Sequence, residues 1–134
     1  MRTTTILTLT FILTSLLVVG QAKSKVSHMT PIDILTVDHV EMYKYTKPVV
    51  DSTMGADHRQ LNSEQVKSFV DEWNKATYVG TCKFKSVYRI DLYLKDGTKR
   101  TFEINGSVKE IRSYCYEPSD KKYFKDLWDK AKSN

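Results

Sequence analysis

Between Phe84 and Ile104 most apolar residues fall on even-numbered positions on both sides of an Asp96-Gly97 pair. On the first side Phe84, Tyr88, Ile90, Leu92 and Leu94 are even-numbered, and Lys85, Arg89, Asp91 and Tyr93 between them are polar or amphipathic. On the second side Phe102 and Ile104 keep the even parity. A period of two with one apolar face is the signature of a half-buried strand, and a turn pair between two such runs makes a hairpin. Directly opposed residues share a face, so even must meet even. A two-residue turn would set Phe102 opposite Asp91 and fails that test. A three-residue loop, Lys95-Asp96-Gly97, pairs Leu94 with Thr98, Ile90 with Phe102 and Tyr88 with Ile104, and puts Gly97 at the left-handed position such a loop needs.

Helices flank this hairpin. Asn62 with Gln65 three places on forms a capping box, and Leu61 with Val66 a hydrophobic staple. Val66, Phe69, Val70, Trp73 and Ala76 then make one apolar stripe, which predicts a helix near 62–77 ended by a left-handed stop at Gly80. Tyr123, Phe124, Leu127, Trp128 and Ala131 make a second stripe, which predicts a helix near 119–132 capped by Ser119. Phe69–Ala76 resembles Phe124–Ala131, a match that helical composition produces without duplication. Upstream, Val37–Tyr45 reads as a strand with imperfect alternation, and 46–60, with Pro48 and Gly55, as one long loop. Downstream of Asn105-Gly106, Val108, Ile111, Tyr114, Cys115 and Tyr116 share no parity, which predicts a short, bulged or broken strand between Val108 and Glu117. The expected fold is α+β: a small antiparallel sheet of three or four strands with two amphipathic helices packed on its even face.

Cys82 and Cys115 test that picture. If 82–94, 98–104 and 108–116 formed two regular hairpins, the cysteines would sit at opposite ends of parallel strands, roughly 40–50 Å apart at ~3.3 Å per residue. A disulfide tolerates Cα atoms no more than about 7 Å apart, so bridge and regular meander exclude each other. The poor alternation after Gly106 favours a bridge, with a reversal near Arg112-Ser113; two buried, unreactive thiols are the alternative.

The compartment follows from the first residues. Arg2 is the sole charge among the first 22, Ile6 to Val19 is an apolar run of 14, and Gly20-Gln21-Ala22 supplies small residues before a cut. That order predicts a signal peptide over 1–22, because 14 residues are short of the about 20 a membrane span requires. A single exported domain, secreted or periplasmic, would then occupy 23–134, with 23–31 a loose arm and no further membrane span. Its two cysteines suit an oxidising compartment. The whole chain carries a net charge of +5. That is enough to favour an acidic partner, either a protein or an anionic envelope polymer, and too little for a nucleic-acid binder.

The residues give catalysis little support. No serine or cysteine sits in a glycine-flanked strand–turn–helix elbow, and no glycine-rich phosphate loop is present. Asp91 and Glu103 have outward parity and are expected to face solvent. His39 and Glu41 share a strand face and Asp57-His58 adds a second pair, but zinc needs three or four convergent ligands, so neither metal nor cofactor is expected. The outward odd face draws more attention. Lys83, Lys85, Arg89 and Tyr93 on one strand and Lys99 on its partner would form a basic surface bearing a tyrosine. The expectation is a non-enzymatic exported binding protein using that face. The alternative is an inhibitor or immunity-type protein that blocks an enzyme or toxin through 46–60.

Overall fold

The computed structural model of the chain describes residues 29–46, 56–110 and 113–132. Segment 1–22 and most of the arm lie outside them. The strands are β1 (Val37–Tyr45), β2 (Ala56–Gln60), β3 (Thr77–Thr81), β4 (Tyr88–Leu94), β5 (Lys99–Asn105), β6 (Ser107–Lys109) and β7 (Tyr114–Glu117). The helices are α1 (Ser63–Lys75) and α2 (Tyr123–Lys130). All seven strands form one antiparallel sheet in the order β2-β1-β4-β5-β6-β7-β3. The expected sheet of three or four strands with two helices is therefore wrong. The fold is dominated by its sheet, and the error came from reading 82–94 as one strand and 46–60 as one loop.

Chain order explains the extra strands. β1 and β2 form a hairpin, α1 then links β2 at one edge to β3 at the other, and β4 returns to the middle beside β1. From there the chain steps outward through β5, β6 and β7 until β7 meets β3. Residues 82–87 are therefore a connection between distant strands, and 56–60 is the edge strand that follows β1. What remains of the expected loop, 47–55, lies outside the described residues.

The hairpin register is as parity required. Tyr88 opposes Ile104, Ile90 opposes Phe102, and the Leu94 amide donates to the Thr98 carbonyl. Gly97 has φ +87°, a value that costs glycine nothing and a side-chain residue strain. β1 occupies its expected span, and its imperfect alternation has a cause. Its register with β4 shifts between Val37 and His39, so Val37 turns into the core while His39 opposes Tyr93. The strand after Gly106 is broken into β6 and β7.

The cysteines are bridged, with Cα atoms 5.9 Å apart. Cys82 follows β3, whose Gly80 and Thr81 pair with Cys115 and Tyr114 of β7, and the Cys82 amide donates to the Ser113 carbonyl. The objection from geometry dissolves because Cys82 does not belong to the strand that begins at Tyr88. Arg112 lies outside the described residues.

At α1 the capping box forms, with the Asn62 side chain accepting from the Gln65 amide and the Gln65 side chain accepting from the Asn62 amide. Gly80 is not its stop. The helix ends at Ala76 in extended backbone, and Gly80, at φ +107°, sits where the β3–β7 register shifts. Ser119 does not cap α2 either. Its amide and hydroxyl both donate to the Glu72 carboxylate on α1, and the helix begins at Tyr123.

The core lies on one side of the sheet. Val40, Met42, Ile90, Leu92, Phe102 and Ile104 are 0% exposed. Phe69 and Trp73 of α1 meet the Phe102 ring edge-on at 5.2 and 4.8 Å. Trp128 of α2 lies 6.1 Å from Tyr88. Arg59 joins α2 to the edge strand: its guanidinium covers the Trp128 ring at 4.2 Å and donates to the Trp128 and Ala131 carbonyls at the end of the helix. The last residues of the expected loose arm are held in place. Ile32 is buried, the Thr30 carbonyl accepts from the Trp73 indole, and Arg100 donates to Thr30 and Pro31 while pairing with Glu110.

Candidate functional site: the polar face of the sheet

Because strand side chains alternate, the strands that fill the core also present a second face. Placing β1 between β2 and β4 brings the polar residues of three strands into cross-strand rows, with β5 extending them. In the first row His58, Tyr43 and Arg89 are neighbours in register. The His58 and Tyr43 rings stack at 4.8 Å, and the Arg89 guanidinium covers Tyr43 at 4.3 Å. In the third row His39 stacks on Tyr93 at 4.3 Å with their planes 9° apart, and Lys99 follows at 5.9 Å from the same tyrosine.

Between these rows runs an acidic one. Glu41 of β1 stands directly opposite Asp91 of β4, with Thr101 beyond on β5. Like charges in cross-strand register repel, so each carboxylate needs a counterweight. Asp91 has permanent ones: Arg89 Nε at 3.3 Å, Lys99 Nζ at 3.7 Å and a hydrogen bond from the Thr101 hydroxyl at 3.0 Å. The expectation that Asp91 faces solvent is thus incorrect, for the residue is 2% exposed. Glu41 is matched differently. The Tyr43 hydroxyl donates to Oε2 at 2.8 Å, and Oε1 faces two imidazoles, His58 Nε2 at 3.5 Å and His39 Nε2 at 4.0 Å. The Asp38 carboxylate, 2.6 Å from His39 Nδ1, orients that ring.

These contacts move the ionisations. Burial opposes the charge on Glu41, but the Tyr43 hydroxyl, His58, Tyr93 and His39 together outweigh it and hold the carboxyl below its ordinary 4.5. Burial, followed by the bond to Glu41, pushes the Tyr43 phenol up to about 12. Both tyrosines stay neutral donors across the physiological range.

Of the five residues expected to form a basic surface, Arg89, Tyr93 and Lys99 lie on this face. Lys83 and Lys85 do not join them in strand register, because they are exposed on the 82–87 connection. The face is also not uniformly basic, since Glu41 and Asp91 run through its middle and Lys109 pairs with Glu103 at 3.1 Å. His39, Glu41 and His58 do converge, through the pairing of β1 with β2. Even so, among the described residues no group of His, Cys, Asp or Glu could hold a metal ion. Tyr43 and Asp91 were missed as site residues. Their signal was odd parity, Tyr43 on β1 and Asp91 on β4, which gains meaning once β1 is known to adjoin β4. A separate cleft of about 280 Å³ opens between α1 and α2, lined in part by Glu64, Asp120, Tyr123 and Asp126.

Comparison with protein-family models, with curated proteins and with solved structures finds no match to this chain. Among the described residues no helix is long and apolar enough to cross a membrane.

Proposed function

We propose that the protein is an exported binding protein that engages a protein partner through the polar face of its sheet. One observation carries the reading: Tyr43, Tyr93, His39, His58 and Arg89 are locked by stacking and by two carboxylates into a prearranged surface, on the side of the sheet away from both helices. Tyrosine and arginine are the side chains that protein interfaces favour, since they offer large contact area along with polar tips. Holding them in place beforehand reduces the ordering cost of association. The Cys82–Cys115 disulfide suits export into an oxidising compartment.

The reading is tested by photocrosslinking in the native compartment. A crosslinking side chain at Lys99, which is 49% exposed on the face, should give one discrete adduct. The same group at Lys121, exposed ahead of α2, should give none. Adducts from Lys121 alone, or equal adducts from both positions, would reject it.

A further inference from the structure

The two carboxylates at the centre of the face are balanced by different kinds of charge. Asp91 is held by arginine and lysine, which stay cationic at any physiological pH. Glu41 is faced by two imidazoles, and histidine is the side chain that changes charge between pH 5 and 8. Both imidazoles are open to water and to a partner, at 34% and 40% side-chain exposure.

The groups facing them come from every neighbouring strand: Asp38, Glu41 and Tyr43 on β1, Arg89, Asp91 and Tyr93 on β4, and Lys99 on β5. With both imidazoles neutral, the carboxylates Asp38, Glu41 and Asp91 outnumber the cations Arg89 and Lys99. With both protonated, the cations outnumber the carboxylates, and the local sign reverses.

We infer that this face recognises an acidic protein surface in mildly acidic surroundings and releases it near neutrality, with His39 and His58 supplying the charge that changes. The inference rests on the face being the binding surface, and it adds the partner's chemistry and the control of the contact. Once Arg2 leaves with the expected signal segment, the net charge of +5 falls to +4, which steers an acidic partner toward the molecule at either pH. The short-range match at the face forms only once the imidazoles are charged, because a neutral imidazole leaves Glu41 to repel the partner's carboxylates. The stacking on Tyr93 and Tyr43 keeps both rings in position in either state, so the change is one of charge and needs no movement of the fold.

Poly-L-aspartate serves as the probe, added to the disulfide-intact protein at constant ionic strength. Wild type should bind it roughly tenfold more tightly at pH 5.5 than at pH 7.5, the effect of two added partly exposed charges. The double variant His39→Gln, His58→Gln should lose most of that increase while it keeps a single cooperative melting transition at pH 7.5. An equal increase in both proteins overturns the inference. Amide shifts induced by the probe at pH 5.5 separate the two levels of the argument. Shifts on β1, β2 and β4 with no histidine dependence defeat the proton control alone, whereas shifts confined to α1 and α2 defeat the face as binding surface. If dextran sulfate shows the histidine-dependent increase and poly-L-aspartate does not, the partner is an anionic polysaccharide and the acidic-protein reading fails.

Discussion

The two faces of the sheet come from the same strands, one residue apart, yet different forces hold them. On the dry face Val40, Met42, Ile90, Leu92, Phe102 and Ile104 exclude water completely and meet aromatic rings from both helices. That attraction has no direction and depends on area and fit. On the polar face each side chain is placed by a specific neighbour: a ring by a ring, a carboxylate by a cation or a hydroxyl. The dry face therefore supplies most of the stability. The polar face fixes register and leaves charge available for recognition.

The largest expected effect breaks the dry face. Phe102→Ala removes the ring that Phe69 and Trp73 both meet edge-on, in a site with no exposure. It should cost about 3–5 kcal/mol, seen as a lower midpoint in urea denaturation. A loss under about 1 kcal/mol, the scale of a tolerated volume-conserving core swap, would mean the ring is not at the centre of the packing.

Next comes the far edge, which neither face holds alone. β3 touches the sheet only through β7, and the Cys82–Cys115 bridge spans a sequence separation of 33. Closing such a loop is worth about 3–4 kcal/mol by chain entropy, so Cys82→Ser with Cys115→Ser should lower stability by that order. Amide exchange should rise most in β3 and β7 and least in β1 and β4. A uniform rise across the sheet would show that the bridge does not act locally.

What could be read from the sequence divides along the same line. Three rules acting over a few residues held, the Asn62 capping box, the three-residue loop at Gly97 and the parity of Ile90 with Phe102, while the helix stop at Gly80 and the Ser119 cap did not. Each is decided by neighbours in the chain. Strand order is decided by long-range pairing, which local pattern does not encode, and so β2 and β3 were missed. Both are short, and their partners lie far along the chain or beyond an uneven stretch. The polar face was hidden for the same reason. Arg89, Tyr93 and Lys99 were visible because one hairpin carries them. Their pairing with Tyr43, Glu41 and His39 exists only because β4 returns to lie beside β1.

A middle-sized effect breaks the polar face at its most buried charge. Asp91→Ala leaves Arg89 and Lys99 facing each other without their shared acid and strips the Thr101 hydroxyl of its acceptor. A cost of about 2 kcal/mol is expected, the scale of a charged hydrogen-bonded group removed from partly shielded partners. Asp91→Asn keeps the shape and removes the charge. If it costs as much as Asp91→Ala, charge balance governs the site; if it is neutral, packing does.

The smallest effect separates the titratable half of the face from the permanent half. Glu41 loses its proton more readily in the folded protein than in the unfolded chain, because the Tyr43 hydroxyl and the neighbouring imidazoles outweigh the opposing effect of burial. A carboxyl with a depressed folded value contributes stability that is fully present above its unfolded value and is lost as pH falls through the folded one. The unfolded value lies near 4.5, so the contribution should be present at pH 5 and decline below it. Glu41→Gln cannot ionise and carries no such term. Urea midpoints for wild type and Glu41→Gln should therefore differ by under about 1 kcal/mol at pH 5, and the gap should narrow toward pH 3. A gap that stays constant down to pH 3 would mean that the ionised state of Glu41 is not favoured by folding. The central contrast, a carboxylate matched by permanent cations beside one matched by titratable rings, would then lose its second half.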